Sequence, residues 1–331
     1  MFRTYIQKNN HLAFRDLAVA DAIPPEEADQ IVWFDLINPT PEEDHFAERL
    51  FGITIPTRAE MNEIELSARL YSEDNAKFMT MTVITKLDID AAEKTPITFI
   101  LKGQTLLTVR YEETKSFTNF AFRVQKMNTS ACSTGEQALL GLLEAVIDRI
   151  ADTLERVDGE VDGISRDVFR NKAPTATKKT RDLQGMIERI GRKDDLLSMV
   201  HESLLSISRL LAYYASEPAD RKASKASLQK GEILHRDAAS LSEHAAFLSD
   251  KTTFLLDATL GLINLEQNQI IKIFSVAAVV FLPPTLVASV YGMNFDLLPE
   301  LRWVFGYPWA LGLMLLSALL PFLYFKKRGW L

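Results

Sequence analysis

The amino-acid sequence predicts an α+β cytosolic part, a long helix and two membrane-spanning helices at the C-terminal end of the chain. Short β-like stretches occupy the first 112 residues, and a helical pattern extends from there to about residue 268. Two runs of 19 residues without any charge follow, at 273–291 and 307–325. These three observations divide the chain into predicted domains at 1–112, 113–250, 251–291, 292–306 and 307–331.

The composition excludes several classes of protein. Hydrophobic residues make up 47% of the 331 residues and charged residues 24%, which excludes a disordered, collagen-like or disulfide-scaffold chain. The single cysteine, Cys132, excludes an internal disulfide and a CxxC metal site, and it fits a reducing compartment. A net charge of −7 argues against nucleic acid as a partner. The first residues lack the apolar segment of a secretory signal, so we expect the polar part to lie in the cytosol.

The strands of the first domain are predicted from six stretches, at 2–6, 12–17, 31–36, 78–87, 97–101 and 105–111. Lys102-Gly103-Gln104 separates the last two stretches and predicts a hairpin turn between them. Thr40, followed by Pro41 and two glutamates, predicts the start of a helix. Beyond residue 112, breaks at 171–174 and 216–218 predict long antiparallel helices.

Each uncharged run has the length of a membrane-crossing helix, because about 20 residues span a hydrocarbon core of about 30 Å. Two buried helices of a soluble core are the alternative. Aromatic residues cluster at the ends of the runs, as at a membrane interface, at Trp303, Tyr307, Trp309 and Tyr324. Lys326-Lys327-Arg328 directly follows the second run, and basic residues next to a span favour the cytoplasmic side. Two spans place both termini on that same side. The sequence therefore predicts a hairpin in the plasma (inner) membrane with both termini cytoplasmic and the link 292–306 outside. Pro283-Pro284 should break helical hydrogen bonds in the first run.

One face of the first run continues a seam that begins in the polar segment before it. The seam residues follow alternating steps of four and three, at Asp257, Gly261, Asn264, Asn268, Ile271, Ser275, Ala278, Leu282, Thr285, Ser289 and Gly292. Small residues on such a seam indicate either close helix packing or a wall that faces water. Asp257, Asn264 and Asn268 favour the second interpretation, because a carboxylate and two amides suit a cation path. Two spans cannot enclose a pore, so the seam then requires several copies of the chain around one axis.

The link after the first run carries a family resemblance. Tyr291-Gly292-Met293-Asn294-Phe295, followed by a short acidic loop with a proline, resembles the CorA family of divalent-cation channels, whose hallmark is Gly-Met-Asn. Three further segments are similar to that family, at 265–268, 270–274 and 324–327. The close match covers about residues 254 to 331.

This resemblance implies a homopentamer with a funnel-shaped cytosolic domain and one long stalk helix that continues into the first span. It implies that Gly292, Met293 and Asn294 form the outer selectivity ring. Several seam residues fall at positions that look like the pore lining of the family, namely Asn268, Ile271, Ala278, Leu282 and Thr285. At the narrow part of the pore next to these residues, alignment with the family places Phe274, rather than Ser275 of the seam, in the lining.

The implied activity is passive, potential-driven uptake of Mg²⁺, with Co²⁺ or Ni²⁺ as further cargo. A divalent cation gains roughly 4.6 kcal/mol across 100 mV, and no GxxxxGK[ST] phosphate loop occurs in the chain. Asp296 and Glu300 lie beyond the ring, where they either attract cations or are ordinary loop charges. The family also implies that intracellular Mg²⁺ closes the pore by binding acidic residues between subunits, and Asp88 and Asp237 are the predicted ligands. No organic cofactor is expected.

Charge runs in the helical region allow two interpretations. The segment 144–167 holds eight acidic residues, and the segment after it is basic. In the first interpretation both segments are solvated helix faces. In the second, the acidic residues concentrate cations near the pore exit, and the basic residues form a ring near the membrane that regulates ion passage or binds anionic lipid.

Three other functions compete with this one. A Zn²⁺ transporter of the same superfamily, with or without proton coupling, is the runner-up, although Met293 is intact and the seam lacks Cys and His. A membrane-tethered sensor or scaffold does not explain the polar seam. A di-iron enzyme would need two facing ExxH motifs, and the two present, at 232–235 and 42–45, lie in different regions. We therefore predict that the protein is not an enzyme.

Overall fold

A seven-stranded mixed sheet, long helices and two apolar C-terminal helices make up the computed structural model, which confirms the predicted fold class. The structure describes residues 2–8, 11–17, 30–87, 91–126, 132–170, 176–216, 225–293 and 303–330. The chain divides into two compact units. The first unit consists of Met1–Phe169 with Glu188–Leu255, and the second of Arg170–Ile187 with Leu256–Leu331.

The sheet of the first unit has the strand order β2-β1-β3-β7-β6-β5-β4. Its strands are β1 (Phe2–Lys8), β2 (His11–Leu17), β3 (Ile31–Ile37), β4 (Leu70–Glu73), β5 (Ala76–Thr85), β6 (Glu93–Lys102) and β7 (Thr105–Arg110). Only β3 and β7 pair in parallel, and the other neighbours are antiparallel. All six predicted strands are confirmed, and β4 is a seventh that the sequence did not predict. Gly103, at φ 59°, forms the predicted turn between β6 and β7.

Eight helices lie within the described residues. They are α1 (Pro41–Phe51), α2 (Arg58–Met61), α3 (Leu66–Arg69), α4 (Lys115–Lys126), α5 (Gly135–Arg170), α6 (Ala176–Ser216), α7 (Lys225–Tyr291) and α8 (Gly306–Lys327). The predicted start of α1 is confirmed, because the Thr40 side chain accepts from the Glu43 amide and the Glu43 carboxylate accepts from the Thr40 amide at 2.9 Å. Helix α5 ends at Arg170 and α6 at Ser216. The predicted breaks beyond these two residues, at 171–174 and 217–218, lie outside the described residues.

Apolar side chains cover both faces of the sheet. On one face, Phe2 and Phe34 pack around the buried Ala47 of α1. On the other face, the Trp33 ring lies 5.7 Å from the ring of Phe120 in α4. This coverage buries every residue of β3, as expected of a central strand.

One ion pair is fully buried in this sheet. The Arg110 guanidinium donates to Asp35 Oδ2 at 2.9 Å from Nη2 and to Oδ1 at 3.0 Å from Nε, and both side chains are 1% exposed. Thr108 Oγ1 donates to the same carboxylate at 2.7 Å, while Trp33 Nε1 donates to Thr108 Oγ1 at 2.9 Å. The guanidinium carbon also lies 4.8 Å from the centre of the Phe117 ring. The pair therefore joins parallel strands β3 and β7 through side chains as well as backbone.

Helix α5 begins directly against the β6–β7 turn. The Gly135 amide donates to the Gln104 carbonyl at 2.6 Å. A Cβ atom at position 135 would lie 2.5 Å from the Leu106 nitrogen and 2.6 Å from the Thr105 carbonyl carbon. Backbone atoms cannot move aside as a flexible side chain can, so this close approach requires glycine.

Within the described residues, two helices are long and apolar enough to cross a membrane, α7 and α8. Their most apolar 18-residue windows have mean hydropathies of 2.1 and 1.7, and 6% of each window is buried within the chain. A core helix of a soluble protein would be mostly buried, so this exposure argues against the soluble-core alternative. Helix α7 has 67 residues, which corresponds to about 100 Å. It continues through Pro283-Pro284 without ending, so the predicted loss of hydrogen bonds there does not interrupt the helix.

Candidate functional site

The polar seam lies on an exposed face of α7. All of its predicted pore-lining residues are exposed in the single chain, at Asp257, Asn264, Asn268, Ile271, Phe274, Ser275, Ala278, Leu282, Thr285 and Ser289. The largest apolar side chains among them are strongly exposed, with Phe274 at 71% and Leu282 at 67%. Phe274 and Ser275 are both exposed, so a single chain does not distinguish between these two assignments.

The opposite face of the first span is its packed face. Val276 is 4% exposed, and Val280, Pro283, Val287 and Tyr291 are partly buried at similar helical spacing. At 100° per residue, Thr285 and Ser289 of the seam lie about 180° and 220° from Val276. The seam is therefore turned away from the face that packs within the chain.

A matching face runs along α8. Ala310 is 7% exposed, and further residues at steps of four and three are partly buried, namely Met314, Ser317, Pro321 and Phe325. Each of the two apolar helices thus has one packed stripe. The rest of its surface is exposed, as lipid or a second copy would require.

The end of the first span carries the predicted selectivity residues. Helix α7 ends at Tyr291, and the Gly292 amide still donates to the Ala288 carbonyl at 2.9 Å. A Cβ atom at Gly292 would lie 3.0 Å from that carbonyl oxygen, so the position has little room for a side chain. Met293 is 48% exposed. The predicted residues Asn294, Asp296 and Glu300 lie outside the described residues.

The acidic run of α5 is largely paired with basic side chains of the first unit. Glu160 Oε2 lies 2.6 Å from Lys193 Nζ of α6, and Lys251 Nζ of α7 lies 2.7 Å from Asp162 Oδ1 and 3.2 Å from Asp158 Oδ1. The hydrogen bond with Asp162 raises the pKa of Lys251, and the same bond lowers the pKa of Asp162. These carboxylates connect α5 to its neighbouring helices and are still partly exposed, with Asp162 at 56%, so their pairing agrees with a solvated helix face and adds a structural role to it.

The predicted regulatory ligands are not brought together in the described part of the chain. Asp237 is exposed on α7, and Asp88 lies outside the described residues. Among the residues that the structure describes, no group of three or more His, Cys, Asp or Glu side chains could hold a metal ion. In the ExxH motif at 232–235, the Glu232 carboxylate accepts a hydrogen bond from Arg236 at 3.1 Å and so forms an ion pair on the helix surface.

Contacts between hydroxyl groups and β5 were missed by sequence reasoning. Strand β4 pairs with β5 only as far as Met79, and beyond it Ser203 Oγ donates to the Thr82 carbonyl at 2.9 Å. Ser206 Oγ accepts from the Thr82 amide at 3.0 Å. Two serines of α6 thus replace a missing strand, and no local sequence signal distinguishes them from other helix serines.

Comparison with known proteins identifies the family. The family model described as "CorA-like Mg2+ transporter protein" matches residues 28–327. "Magnesium transport protein CorA" of Pasteurella multocida (strain Pm70) is 35% identical over 308 residues, which cover 92% of this chain and 93% of that protein. The protein of the same name from Escherichia coli (strain K12) is 33% identical over 331 residues, with full coverage of both chains.

Solved structures share the fold. The complete CorA magnesium transporter of Methanocaldococcus jannaschii has a TM-score of 0.79 at 18% identity, with 100% of this chain and 99% of that chain covered. The ZntB cytoplasmic domain of Vibrio parahaemolyticus has a TM-score of 0.57 at 10% identity, covering 80% and 98%. At these identities the likeness concerns the fold alone. The family match and the full-length relatives, together with the two apolar helices, place the chain among integral membrane proteins, and it belongs to the CorA family of Mg²⁺ transporters.

Proposed function

We propose that this protein is a passive Mg²⁺ channel of the inner membrane, driven by the membrane potential, which also admits Co²⁺ or Ni²⁺. The observation that carries the proposal is the position of the polar seam, which is exposed opposite the packed face of the first span. If the first spans of several copies meet around an axis, these seams form one continuous lining. The resemblance to the CorA family supports five copies, with both termini in the cytoplasm.

Ion selection is assigned to the ring that follows the first span. Mg²⁺ gives up its water reluctantly and prefers oxygen ligands in octahedral geometry. Amide oxygens of Asn294 and carbonyls of Gly292 can bind the hydrated ion without removing its water, whereas a ring of carboxylates would hold it too tightly for conduction. Asp296 and Glu300, placed beyond the ring, would raise the local cation concentration.

The test is flux of Mg²⁺ into liposomes that carry the purified protein, with an inside-negative potential. We expect potential-driven entry for the wild type and at least about a tenfold loss for Asn294→Ala, because the neutral ring is incomplete without its amides. Asn119→Ala is the matched control, since Asn119 is an exposed asparagine on α4 of the first unit. Its flux should equal that of the wild type.

Two other outcomes would contradict the proposal. Zn²⁺ uptake that a proton gradient enhances, without Mg²⁺ flux, would establish the Zn²⁺ transporter instead. Absence of flux for both ions, in a protein that is folded and inserted, would leave a membrane-tethered sensor as the function.

Feedback by intracellular Mg²⁺ is assigned to carboxylates of neighbouring copies, with Asp88 and Asp237 as the proposed ligands. Two carboxylates repel each other when the ion is absent and are bridged when it is bound, so the ion favours the closed arrangement. We expect Asp237→Ala to need at least about fivefold more internal Mg²⁺ for half-closure. Asp250→Ala is the control, because Asp250 is exposed on the same helix. Closure of both variants at the wild-type concentration would refute the assignment of Asp237.

A further inference from the structure

The chain reverses direction immediately after α8. Gly329 has φ 72°, its amide donates to the Lys326 carbonyl at 3.2 Å, and the Trp330 amide donates to the Phe325 carbonyl at 3.1 Å. This pair of bonds is the Schellman arrangement of a helix C-terminus. It folds Trp330 back, so that its ring stacks on Phe325 with the ring centres 5.3 Å apart.

Trp330 also contacts the beginning of the first span. Lys272 Nζ of α7 lies 5.8 Å from the centre of the Trp330 ring. The start of the first span and the end of the second therefore lie at the same level. Lys272 comes one residue after Ile271, about 100° around the helix from it. The ammonium group is thus displaced from the polar seam toward the side of α8.

Four cations gather at this end of the hairpin, and we call them the basic cluster: Lys272, Lys326, Lys327 and Arg328. All four are exposed, and the Arg328 guanidinium carbon lies 5.7 Å from the centre of the Tyr324 ring. Among the residues that the structure describes, no carboxylate lies within ion-pair distance of any of them. The acidic run of α5, by contrast, finds basic partners within its own unit.

We propose that the basic cluster binds the phosphate of an anionic phospholipid, with Lys272 and Arg328 as its principal contacts. Cations without carboxylate partners favour an anion, and they repel Mg²⁺. Tyr324 and Trp330 are aromatic residues of the type that lies at the headgroup level of a bilayer. Basic groups between spans at one membrane surface are suited to bind anionic headgroups. This inference rests on membrane insertion and is independent of which ion the protein transports.

The first experiment measures lipid retention by the full-length protein. The protein is equilibrated in micelles with equal phosphatidylglycerol and phosphatidylcholine, washed, and its retained lipids are quantified by mass spectrometry. We expect the ratio of phosphatidylglycerol to phosphatidylcholine to fall about fivefold for Lys272→Gln and again about fivefold when Arg328→Gln is added. Lys272→Arg should retain the wild-type ratio, because it keeps the charge.

Arg236→Gln is the matched control, since Arg236 is an exposed helix cation of the first unit. Its ratio should equal that of the wild type. Equal ratios for the control and both Lys272 variants would overturn the proposal. If the double variant does not fold, the comparison of Lys272→Gln with Lys272→Arg decides the question alone.

A second experiment separates a lipid from a soluble phosphate. Phosphatidylglycerol with brominated chains should quench the fluorescence of tryptophans near the bilayer, which include Trp303 and Trp309. Trp330→Phe should remove only the share of the quenching that Trp330 contributes, and that share is the readout. Millimolar inorganic phosphate should leave the quenching unchanged if the ligand is a lipid. Loss of the quenching at such concentrations, in detergent and in liposomes alike, would assign the cluster to soluble phosphate and overturn the lipid assignment.

Discussion

Replacement of Asp35 by alanine is expected to lower the free energy of unfolding by about 3–5 kcal/mol. The variant leaves the Arg110 guanidinium of β7 buried without the Asp35 carboxylate of β3, since both side chains are 1% exposed. It also removes the acceptor of Thr108, whose hydroxyl donates to Asp35 at 2.7 Å. Thermal unfolding of the full-length protein, followed by intrinsic fluorescence, measures the effect.

Two variants define the cause of this loss. Glu232→Ala removes an exposed pair with Arg236 on a helix surface and should cost less than about 0.5 kcal/mol. The double variant Asp35→Leu with Arg110→Met should recover much of the stability, because apolar residues of similar volume leave no unpaired buried charge. If Asp35→Ala unfolds at the wild-type temperature, the buried pair does not stabilise the sheet as described.

Leu282→Asn is expected to make the proposed channel leak. Leu282 lies on the seam and is 67% exposed in the single chain, so in a ring of copies its side chain would narrow the path with apolar atoms. A narrow apolar ring blocks ions because water leaves it, and an amide of similar size keeps the ring wet. At an internal Mg²⁺ concentration that closes the wild type, the Mg²⁺ flux of the variant should be at least about tenfold higher. This increase corresponds to a free-energy barrier for ion passage that is lower by about 1.4 kcal/mol.

The control for this variant is Leu282→Met, which changes shape but remains apolar. Its flux at the closing Mg²⁺ concentration should match that of the wild type, while its open-state flux stays measurable. A leak in both variants would indicate that packing around residue 282, rather than dewetting, closes the path. Closure in both would place the constriction at another seam residue.

Features set by neighbouring residues could be predicted from the sequence. The six strands, the hairpin turn at Gly103 and the start of α1 at Thr40 each follow from a few adjacent residues, and the structure has all of them. The period of the seam is equally local, since one helix determines which residues share a face. The seam's role in conduction depends on other copies of the chain and stays a prediction.

Features set by distant residues could not be predicted. Asp35 and Arg110 are 75 positions apart, and only the parallel pairing of β3 with β7 brings them together. Lys251 meets Asp162 across 89 positions for the same kind of reason. Strand β4 was missed because its four residues are only partly buried or exposed and show no apolar run. The charge pattern of the sequence could not show which acidic residues of α5 form ion pairs, because their basic partners lie on α6 and α7.

Gly135 has a mechanical consequence for the first unit. Because backbone meets backbone there, with no side chain between, a displacement of the β6–β7 turn must move the first turn of α5 by nearly the same amount. Farther along the same rigid rod, Asp158 and Asp162 hold Lys251 of α7. Lys230 of α7 also lies 2.9 Å from Glu144 of α5. Force applied to the sheet would therefore reach α7 through α5 and the ion pairs between these two helices.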